Sequence, residues 1–452
     1  MMRQALILAL ALLFGFTTGA SAQQQRAYEA TRRSFAPYLG ERDPFAWPVR
    51  AYYMSQSPLQ FFVGAQDSFF LWCRSNTTDW TRDEAAVVPC HGNATPAALS
   101  TYACTGAFGK VAFGITAFDD SSRIPFQVEL LQSFIMLRLI ADQNRIEMTN
   151  ASSSDLLDIF CDAYRQGLSS QRDATALFAT DPWVGKLLSG DASYDDLLSR
   201  YTSVGQFKRV ITSADGKPIE VLRPAIEAAD QIAAVIADAT RTSPDFAKLM
   251  RYSSREDFRA AIRDVAARTV IVNPTTPGVR QYLVLLTRPL VDLDHDLILS
   301  LRKQFPSSAE RAAAAPRDPR APAERATQDA KAAMDPGFFL SAYGRSGGDD
   351  SYCIRLLDPW SSTLAEQPIQ NTNDLTHLAQ IWGAVTGLTH RQIAEDNQLG
   401  KLLTPDLRKL LLSRADAYLK QLRADFDRMM SDPIANADVA AAKEAIANAT
   451  QR

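Results

Sequence analysis

The stretch FQVELLQSFIMLRLIADQNRI, residues 126–146, decides the fold. It is apolar on almost every side, so a helix formed by it has no polar face to turn towards solvent. Its large apolar side chains are Leu130, Leu131, Phe134, Ile135, Met136, Leu137, Leu139 and Ile140. We therefore predict a central, buried helix around which a multi-helix core packs.

Two later leucine stripes predict the partners of this helix. Between Val279 and Phe305, leucines at positions 283, 286, 290, 293, 297 and 301 recur at spacings of three and four, which is the period of a helix. A second stripe runs from Leu407 to Met429. Because each stripe needs an apolar surface to cover it, we expect blocks 121–305 and 374–446 to pack together.

Two regions depart from the helical pattern. Within residues 207–222, two short β-rich runs flank Asp215-Gly216, a turn pair that favours one small β-hairpin. Residues 23–120 are crowded with aromatic side chains and carry prolines at 37, 44, 48 and 58, which lack an amide donor and interrupt long helices. We predict a loop-rich aromatic region there, whose rings fill a small core.

Residues 306–336 are rich in Ala, Pro, Arg, Asp and Glu and have almost no large apolar side chain. Such a composition cannot bury enough surface to offset the entropy of ordering, so it predicts a flexible linker or loop. The fold class predicted for the whole chain is mainly α, with a multi-helix core, a loop-rich aromatic N-terminal region and one small hairpin. The predicted segments are 1–22, 23–120, 121–305, 306–336 and 337–452, the last a C-terminal helical region that packs on the core.

The first 22 residues have the features of a cleavable signal peptide. Arg3 precedes an apolar run, Ala5 to Phe16, that is too short for a permanent membrane helix. Ala20-Ser21-Ala22 matches the pattern that signal peptidases accept, so we expect the mature chain to begin at Gln23. We expect a periplasmic or secreted protein with no transmembrane segment in the mature chain. A eukaryotic secreted origin is the alternative.

The composition excludes few functions. The formal net charge is −3, which gives no electrostatic reason to expect nucleic acid as a partner. The hydrophobic fraction of 46% and the charged fraction of 22% are those of an ordinary globular protein. A protein or an envelope polymer is the partner that we expect for a binding protein of this kind.

Five cysteines in an exported chain predict at least one disulfide. Three of them, Cys73, Cys90 and Cys104, lie close together in the sequence. Cys90–Cys104 is the preferred pair, and Cys73–Cys90 is the alternative. Zinc is the competing explanation, but the chain has no C-x-x-C pair, and only His91 is adjacent to a cysteine.

One acidic cluster has the spacing of metal ligands. On a helix, Asp292, His295 and Asp296 lie three and four residues apart, so their side chains could converge on a divalent cation. The competing explanation is a solvated helix face, because the cluster lies opposite the leucine stripe. A metal here also needs a partner segment to complete its ligand shell.

No motif identifies catalytic residues or a cofactor, since the chain lacks a G-x-S-x-G elbow and a phosphate loop. Whether the protein is an enzyme therefore stays open, and the missing motifs favour a non-enzymatic binding or assembly protein of the cell envelope or secretome. An exported hydrolase with a dispersed active site is the first alternative. A metal- or solute-binding helical protein that uses residues 292–296 is the second.

Overall fold

A computed structural model of the chain describes residues 27–39, 46–80, 86–104, 109–190, 192–213, 215–270, 281–292, 294–334, 336–347, 350–393 and 399–450. The helices are α1 Ala27–Leu39, α2 Ala46–Met54, α3 Pro58–Gly64, α4 Gln66–Asn76, α5 Phe126–Gln143, α6 Asn150–Ser169, α7 Ala174–Phe178, α8 Pro182–Leu188, α9 Tyr194–Tyr201, α10 Ala229–Thr242, α11 Pro244–Leu249, α12 Arg255–Ala261, α13 Ser308–Arg311, α14 Pro322–Ala333, α15 Thr372–Ile393, α16 Leu399–Leu402, α17 Pro405–Ser431 and α18 Pro433–Thr450. The strands are β1 Val87–Cys90, β2 Leu99–Ala103, β3 Val111–Ile115, β4 Ser122–Pro125, β5 Thr202–Ser203, β6 Gln206–Phe207, β7 Val210–Thr212, β8 Pro218–Pro224, β9 Ile262–Val270, β10 Gln281–Leu286, β11 Leu297–Gln304, β12 Ser341–Arg345 and β13 Ser351–Leu356.

Helix α5 is the buried helix that the apolar stretch predicts. Nearly all of its side chains are buried, including the polar side chains of Glu129 and Gln132. Helices α3, α6, α15 and α17 pack against it, and together they form the larger of the two main hydrophobic cores. The buried side of α17 includes Leu411, Tyr418 and Leu422 from the second leucine stripe.

Helices α6 and α15 lie against each other with glycine at the contact. A Cβ atom on Gly383 would come within 2.4 Å of the Phe160 carbonyl oxygen, and one on Gly387 within 2.1 Å of the Tyr164 carbonyl oxygen. Only a hydrogen atom fits in these places, so the two backbones can approach closely. This contact holds the last turn of α15, which carries His390, against Tyr164 of α6.

The smaller core surrounds a seven-stranded antiparallel sheet in the order β12-β13-β11-β10-β9-β8-β7. The prediction of a mainly α fold with a single small hairpin is therefore wrong. Four leucines of the first stripe lie in strands β10 and β11, in which Leu283 pairs with Ser300. Every residue of β10 is buried, so the strand lacks the alternation of apolar and polar residues that marks a half-exposed strand. Without that alternation, the spacing of its leucines fits the period of a helix as well.

The two regions that depart from the helical pattern also differ from the prediction. The hairpin expected within 207–222 is present as β7 and β8, but it is one edge of the seven-stranded sheet. The described part of region 23–120 contains four helices and is not loop-rich. One of its prolines begins a helix: Pro58 opens α3, where the Ser57 side chain accepts a hydrogen bond from the Gln60 amide.

Residues 306–336 lie where the two cores meet. The composition predicts a flexible linker, and the structure places α13 and α14 there, with Arg325 only 1% exposed. Helix α14 packs against β12, β13 and α15, so it joins the sheet to the helical half. None of the described helices has the length and apolar character that a membrane crossing requires.

Candidate functional site

A cleft of about 720 Å³ opens beside this junction. Its walls come from the end of β11, from α13, from the loop that leads into α14, and from β12 with the turn that follows it. The lining residues are Lys303, Gln304, Phe305, Pro306, Glu310, Arg317, Asp318, Pro319, Arg320, Ala321, Pro322, Arg325, Arg345 and Asp350. Its volume lies within the range of about 300–1,000 Å³ that is typical of small-molecule sites.

Cationic side chains outnumber acidic ones on the lining of the cleft, although two carboxylates that do not line it, Asp329 and Glu324, pair with Arg320 and Arg345. Five cationic and three acidic side chains line it, whereas the whole chain has a formal net charge of −3. The N-terminus of α14, at Ala321 and Pro322, also opens into the cleft; its N-cap residue Ala321 offers no side-chain cap, and the Ser351 hydroxyl accepts a hydrogen bond from the Ala323 amide at 3.1 Å. The partial positive charge of a helix N-terminus adds to that of the arginines.

The buried side chain of Arg325 forms part of the cleft wall. Its Nη1 donates to Glu310 Oε2 at 2.6 Å, and its Nη2 donates to the carbonyl oxygens of Asp119 and Phe305 at 3.1 and 3.3 Å. Its Nε is buried and donates no hydrogen bond to any described residue. Glu310 is held in turn by the Asp318 amide at 2.6 Å, so this wall is rigid before any ligand binds.

Three other cations of the cleft differ in whether they form an ion pair with an acidic side chain. Lys303 Nζ lies 2.7 Å from Asp350 Oδ1, and Arg345 Nη2 lies 3.2 Å from Glu324 Oε2. Ion pairs that reach solvent are weak, because water screens them, so these cations can rearrange around an incoming anion. Arg317 is exposed, and no described acidic side chain forms an ion pair with it.

Two adjacent carboxylates lie behind the cleft in opposite electrostatic environments. Burial alone would raise the pKa of Asp119, but Arg302 and Arg355 outweigh it, and the pKa lies below its usual value. Gln304, which lines the cleft, donates to Asp119 Oδ1 at 2.7 Å. Burial raises the pKa of Asp120 to about 6, because Arg311 and a hydrogen bond from the Ser308 amide offset only part of its cost.

A second polar cluster lies inside the helical core. His390 Nε2 is 2.5 Å from Glu129 Oε2, and the Tyr164 hydroxyl is 2.9 Å from His390 Nδ1. The amides of His91 and Gly92 donate to Glu129 Oε1 at 2.8 and 3.2 Å. Burial alone would raise the pKa of Glu129, but the neighbouring histidines and this amide hydrogen bonding hold it well below its usual value.

The predicted disulfide is absent: all five cysteines are free and buried. The three candidates lie on separate elements, Cys73 in α4, Cys90 at the end of β1 and Cys104 just after β2, and each is enclosed by core side chains. Cys90 is near Glu129 and His390, and one ligand atom from each of the three residues lies within 4.8 Å of the other two. Burial and the charge of Glu129 raise the pKa of the Cys90 thiol.

The predicted metal residues do not lie on a helix. Asp292, His295 and Asp296 fall in the connection between β10 and β11, so the helical spacing that suggested convergence is absent. Asp292 and His295 are exposed, and Asp296 Oδ2 lies 2.5 Å from Arg263 Nη1. Within the described ranges, groups able to hold a metal converge at Cys90, Glu129 and His390 instead.

Sequence reasoning missed the cleft because its residues fall mainly in the segment predicted to be a linker. A local signal was present: Ser307 and Glu310 have capping-box spacing, and the structure has both reciprocal hydrogen bonds. Pro322 likewise occupies the first turn of α14. The cluster of Cys90, Glu129 and His390 had no such signal, since its members lie far apart in the sequence.

A family model described as "Uncharacterized protein conserved in bacteria (DUF2252)" matches residues 42–432. This range includes every residue of the cleft and of the buried cluster. No curated protein and no solved structure matches the chain.

Proposed function

The chain belongs to the DUF2252 family of uncharacterized bacterial proteins, and on that premise we propose that it is a non-enzymatic binding protein that takes an anionic small molecule into the cleft. The ligand class is a compound with phosphate or carboxylate groups. A guanidinium group can donate two parallel hydrogen bonds to a pair of oxygens on either group.

One observation carries this proposal: five cationic and three acidic side chains line a cleft of ligand size in a chain whose net charge is negative. The side chain of Arg317 supports it, because it is exposed and forms no ion pair with a described acidic side chain. The rigid wall formed by Arg325 and Glu310 supports it as well, since a preformed site loses less entropy on binding.

The hydrolase alternative has less support. His377 Nε2 lies 2.6 Å from Asp181 Oδ2, the kind of pair that a hydrolase uses. However, Asp181 also accepts hydrogen bonds from the amides of Trp183 and Val184, so it caps α8. Neither residue of the pair lines the cleft. A helix-capping role accounts for this geometry without catalysis.

The experiment is a thermal-shift screen of the full chain with sulfate, inorganic phosphate, pyrophosphate and citrate. A ligand that binds only the folded state stabilises it by about 2.7 kcal/mol at a concentration one hundred times its dissociation constant. We expect stabilisation by at least one of these anions. Stabilisation by phosphate or pyrophosphate indicates a ligand with phosphate groups, and stabilisation by citrate alone indicates a polycarboxylate.

The matched variants are Arg317→Ala, in the cleft, and Arg251→Ala, an exposed arginine outside it. We expect Arg317→Ala to reduce the shift at a given anion concentration and Arg251→Ala to leave it unchanged. If no anion stabilises the protein, or if both variants reduce the shift equally, the cleft is not an anion site.

We also propose that the protein is exported, on the evidence of Arg3, the apolar run and the Ala20-Ser21-Ala22 site, all of which lie outside the described residues. The intact mass of the chain from an envelope or culture-medium fraction tests this. A mass that begins at Gln23 supports export, and a chain that retains residues 1–22 contradicts it.

A further inference from the structure

We propose that Cys90, Glu129 and His390 bind one divalent transition metal ion, with zinc as the metal that best matches a sulfur, oxygen and nitrogen ligand set. This site is separate from the cleft and does not depend on the proposed anion binding. The three residues belong to β1, α5 and α15, so a metal here joins three elements that are distant in the sequence. Such a site exists only in the folded chain, and its binding energy therefore stabilises the fold.

The distances suit a metal after small side-chain movements. The three ligand atoms lie within 4.8 Å of one another. Zinc bonds of about 2.0–2.3 Å place tetrahedral ligands roughly 3.5 Å apart. All three side chains are at most 1% exposed, so bulk water does not compete for the ion.

The surrounding hydrogen bonds orient the ligands as they do around known metal sites. The Tyr164 hydroxyl at His390 Nδ1 turns Nε2 towards the cluster. The amides of His91 and Gly92 occupy Glu129 Oε1, so Oε2 is the oxygen available as the metal ligand; it lies 2.5 Å from His390 Nε2, and a metal bound by both atoms replaces that hydrogen bond. A tyrosine hydroxyl can donate or accept, so it serves either tautomer of the imidazole.

Charge and proton balance both favour a divalent ion. A thiolate and a carboxylate together neutralise a charge of +2, so the loaded site carries no net charge in the core. On binding, Cys90 releases its thiol proton to solvent as the metal–sulfur bond forms. The neutral imidazole of His390 transfers its proton from Nε2, which binds the metal, to Nδ1, which then donates to the Tyr164 hydroxyl, so the ring releases no proton. One proton is released for each metal bound.

The buried Nε2–H group of His91, beside the cluster, is an independent indication that the cluster binds a ligand. His91 Nδ1 accepts a hydrogen bond from the Asn93 amide at 3.2 Å, so its Nε2 carries the proton of the neutral ring. That Nε2 lies 3.1 Å from Glu129 Oε1, but at an angle that makes no hydrogen bond, and no described residue accepts from it. A water molecule in the fourth coordination position of the metal would give it an acceptor.

The test is to refold the full chain with zinc or with a chelator, dialyse it, and measure the metal content. We expect one zinc per chain and a higher melting temperature for the zinc-loaded protein. The cobalt-substituted protein should show thiolate-to-cobalt charge-transfer absorption. Wild-type protein that retains no metal after dialysis overturns the proposal.

Cys90→Ser is the site variant, and Cys353→Ser, at a buried cysteine outside the cluster, is its matched control. We expect Cys90→Ser to lose the charge-transfer band and to bind zinc at least a hundredfold more weakly, whereas Cys353→Ser keeps both properties. Equal binding by the two variants overturns the proposal. If Cys90→Ser does not fold, X-ray absorption of the zinc-loaded wild type decides: one sulfur ligand supports the site, and a shell without sulfur excludes it.

Discussion

Arg325 Nη1 donates to Glu310 Oε2 at 2.6 Å, and this ion pair joins α14 to α13 along the wall of the cleft. The side chains are 1% and 5% exposed, so neither charge can be solvated by water if its partner is lost. The pair therefore holds in place a segment that has few large apolar side chains.

Arg325→Met should destabilise the protein by about 3–5 kcal/mol, because it leaves the Glu310 carboxylate buried without its partner. Arg345→Met, which breaks the pair with Glu324, is the control: Arg345 is 53% exposed, so its loss should cost about 1 kcal/mol or less. Urea denaturation measures both free energies of unfolding. Equal losses would show that the Arg325 pair is not a buried anchor.

Asp120→Asn should become more stabilising, relative to wild type, as the pH rises from about 4 to 6. Because the pKa of Asp120 is raised in the folded state, the folded protein binds the carboxyl proton more tightly than the unfolded chain does. The free energy of unfolding of the wild type therefore falls as the pH rises through that window. Between the two ends of this window, the change in the variant's free energy of unfolding relative to that of the wild type approaches about 3 kcal/mol, because each pKa unit corresponds to about 1.36 kcal/mol. Arg311, Asp67 and the Ser308 amide are unchanged in the variant.

Asp119→Asn is the matched control with the opposite sign. Because the pKa of Asp119 is lowered, its ionised form contributes stability at neutral pH, and that contribution is lost as the pH falls below about 4. Unfolding free energies measured between pH 3 and 8 test both variants. If the free energies of unfolding of Asp119→Asn and Asp120→Asn changed with pH in the same direction, the opposite pKa shifts of the two carboxyl groups would be contradicted.

Gly387→Ala should destabilise the protein by about 1–3 kcal/mol or more, since the new Cβ would lie 2.1 Å from the Tyr164 carbonyl oxygen. The control is Gly190→Ala, whose Cβ would meet nothing closer than the Leu187 carbonyl oxygen at 3.7 Å. We expect the control to change stability by less than about 0.5 kcal/mol. Similar melting temperatures for the two variants would show that α6 and α15 are not in close contact.

The thiols should be unreactive in the folded protein and fully reactive after unfolding. All five are buried, and burial raises the pKa of Cys353 to about 11 and that of Cys161 to about 12, so little thiolate forms at neutral pH. Alkylation without reductant, followed by mass measurement, should add five labels in denaturant and almost none under native conditions. Fewer than five labels in denaturant would indicate a disulfide.

Sequence reasoning located the elements whose environment can be inferred from local composition. Helix α5 was predictable because it is apolar on every side. Strand β10 was not, because burial on both faces removed its alternation, and its pairing partners are set by distant contacts. In residues 306–336, the entropy argument considered only apolar burial, whereas Arg325 and Glu310 anchor the segment through charge.

The cleft and the buried cluster were likewise not predictable, because each depends on contacts between residues that local sequence does not bring together. Cys90 was singled out from the sequence, but as half of a disulfide, because nothing local indicates that Glu129 and His390 will meet it. Glu129 lies in the first turn of an apolar helix, where a carboxylate is ordinary. The cations of the cleft were counted only in the net charge of the chain, which conceals their concentration on one surface.

Isothermal titration calorimetry with pyrophosphate and with citrate is the most direct test of anion binding in the cleft. The wild-type chain should bind one equivalent of at least one of these anions. The double variant Arg317→Ala/Arg345→Ala should bind it at least tenfold more weakly, a loss of about 1.4 kcal/mol, while Arg251→Ala keeps the wild-type affinity. Absence of binding to either anion, or the same affinity in all three proteins, would contradict an anion site in the cleft.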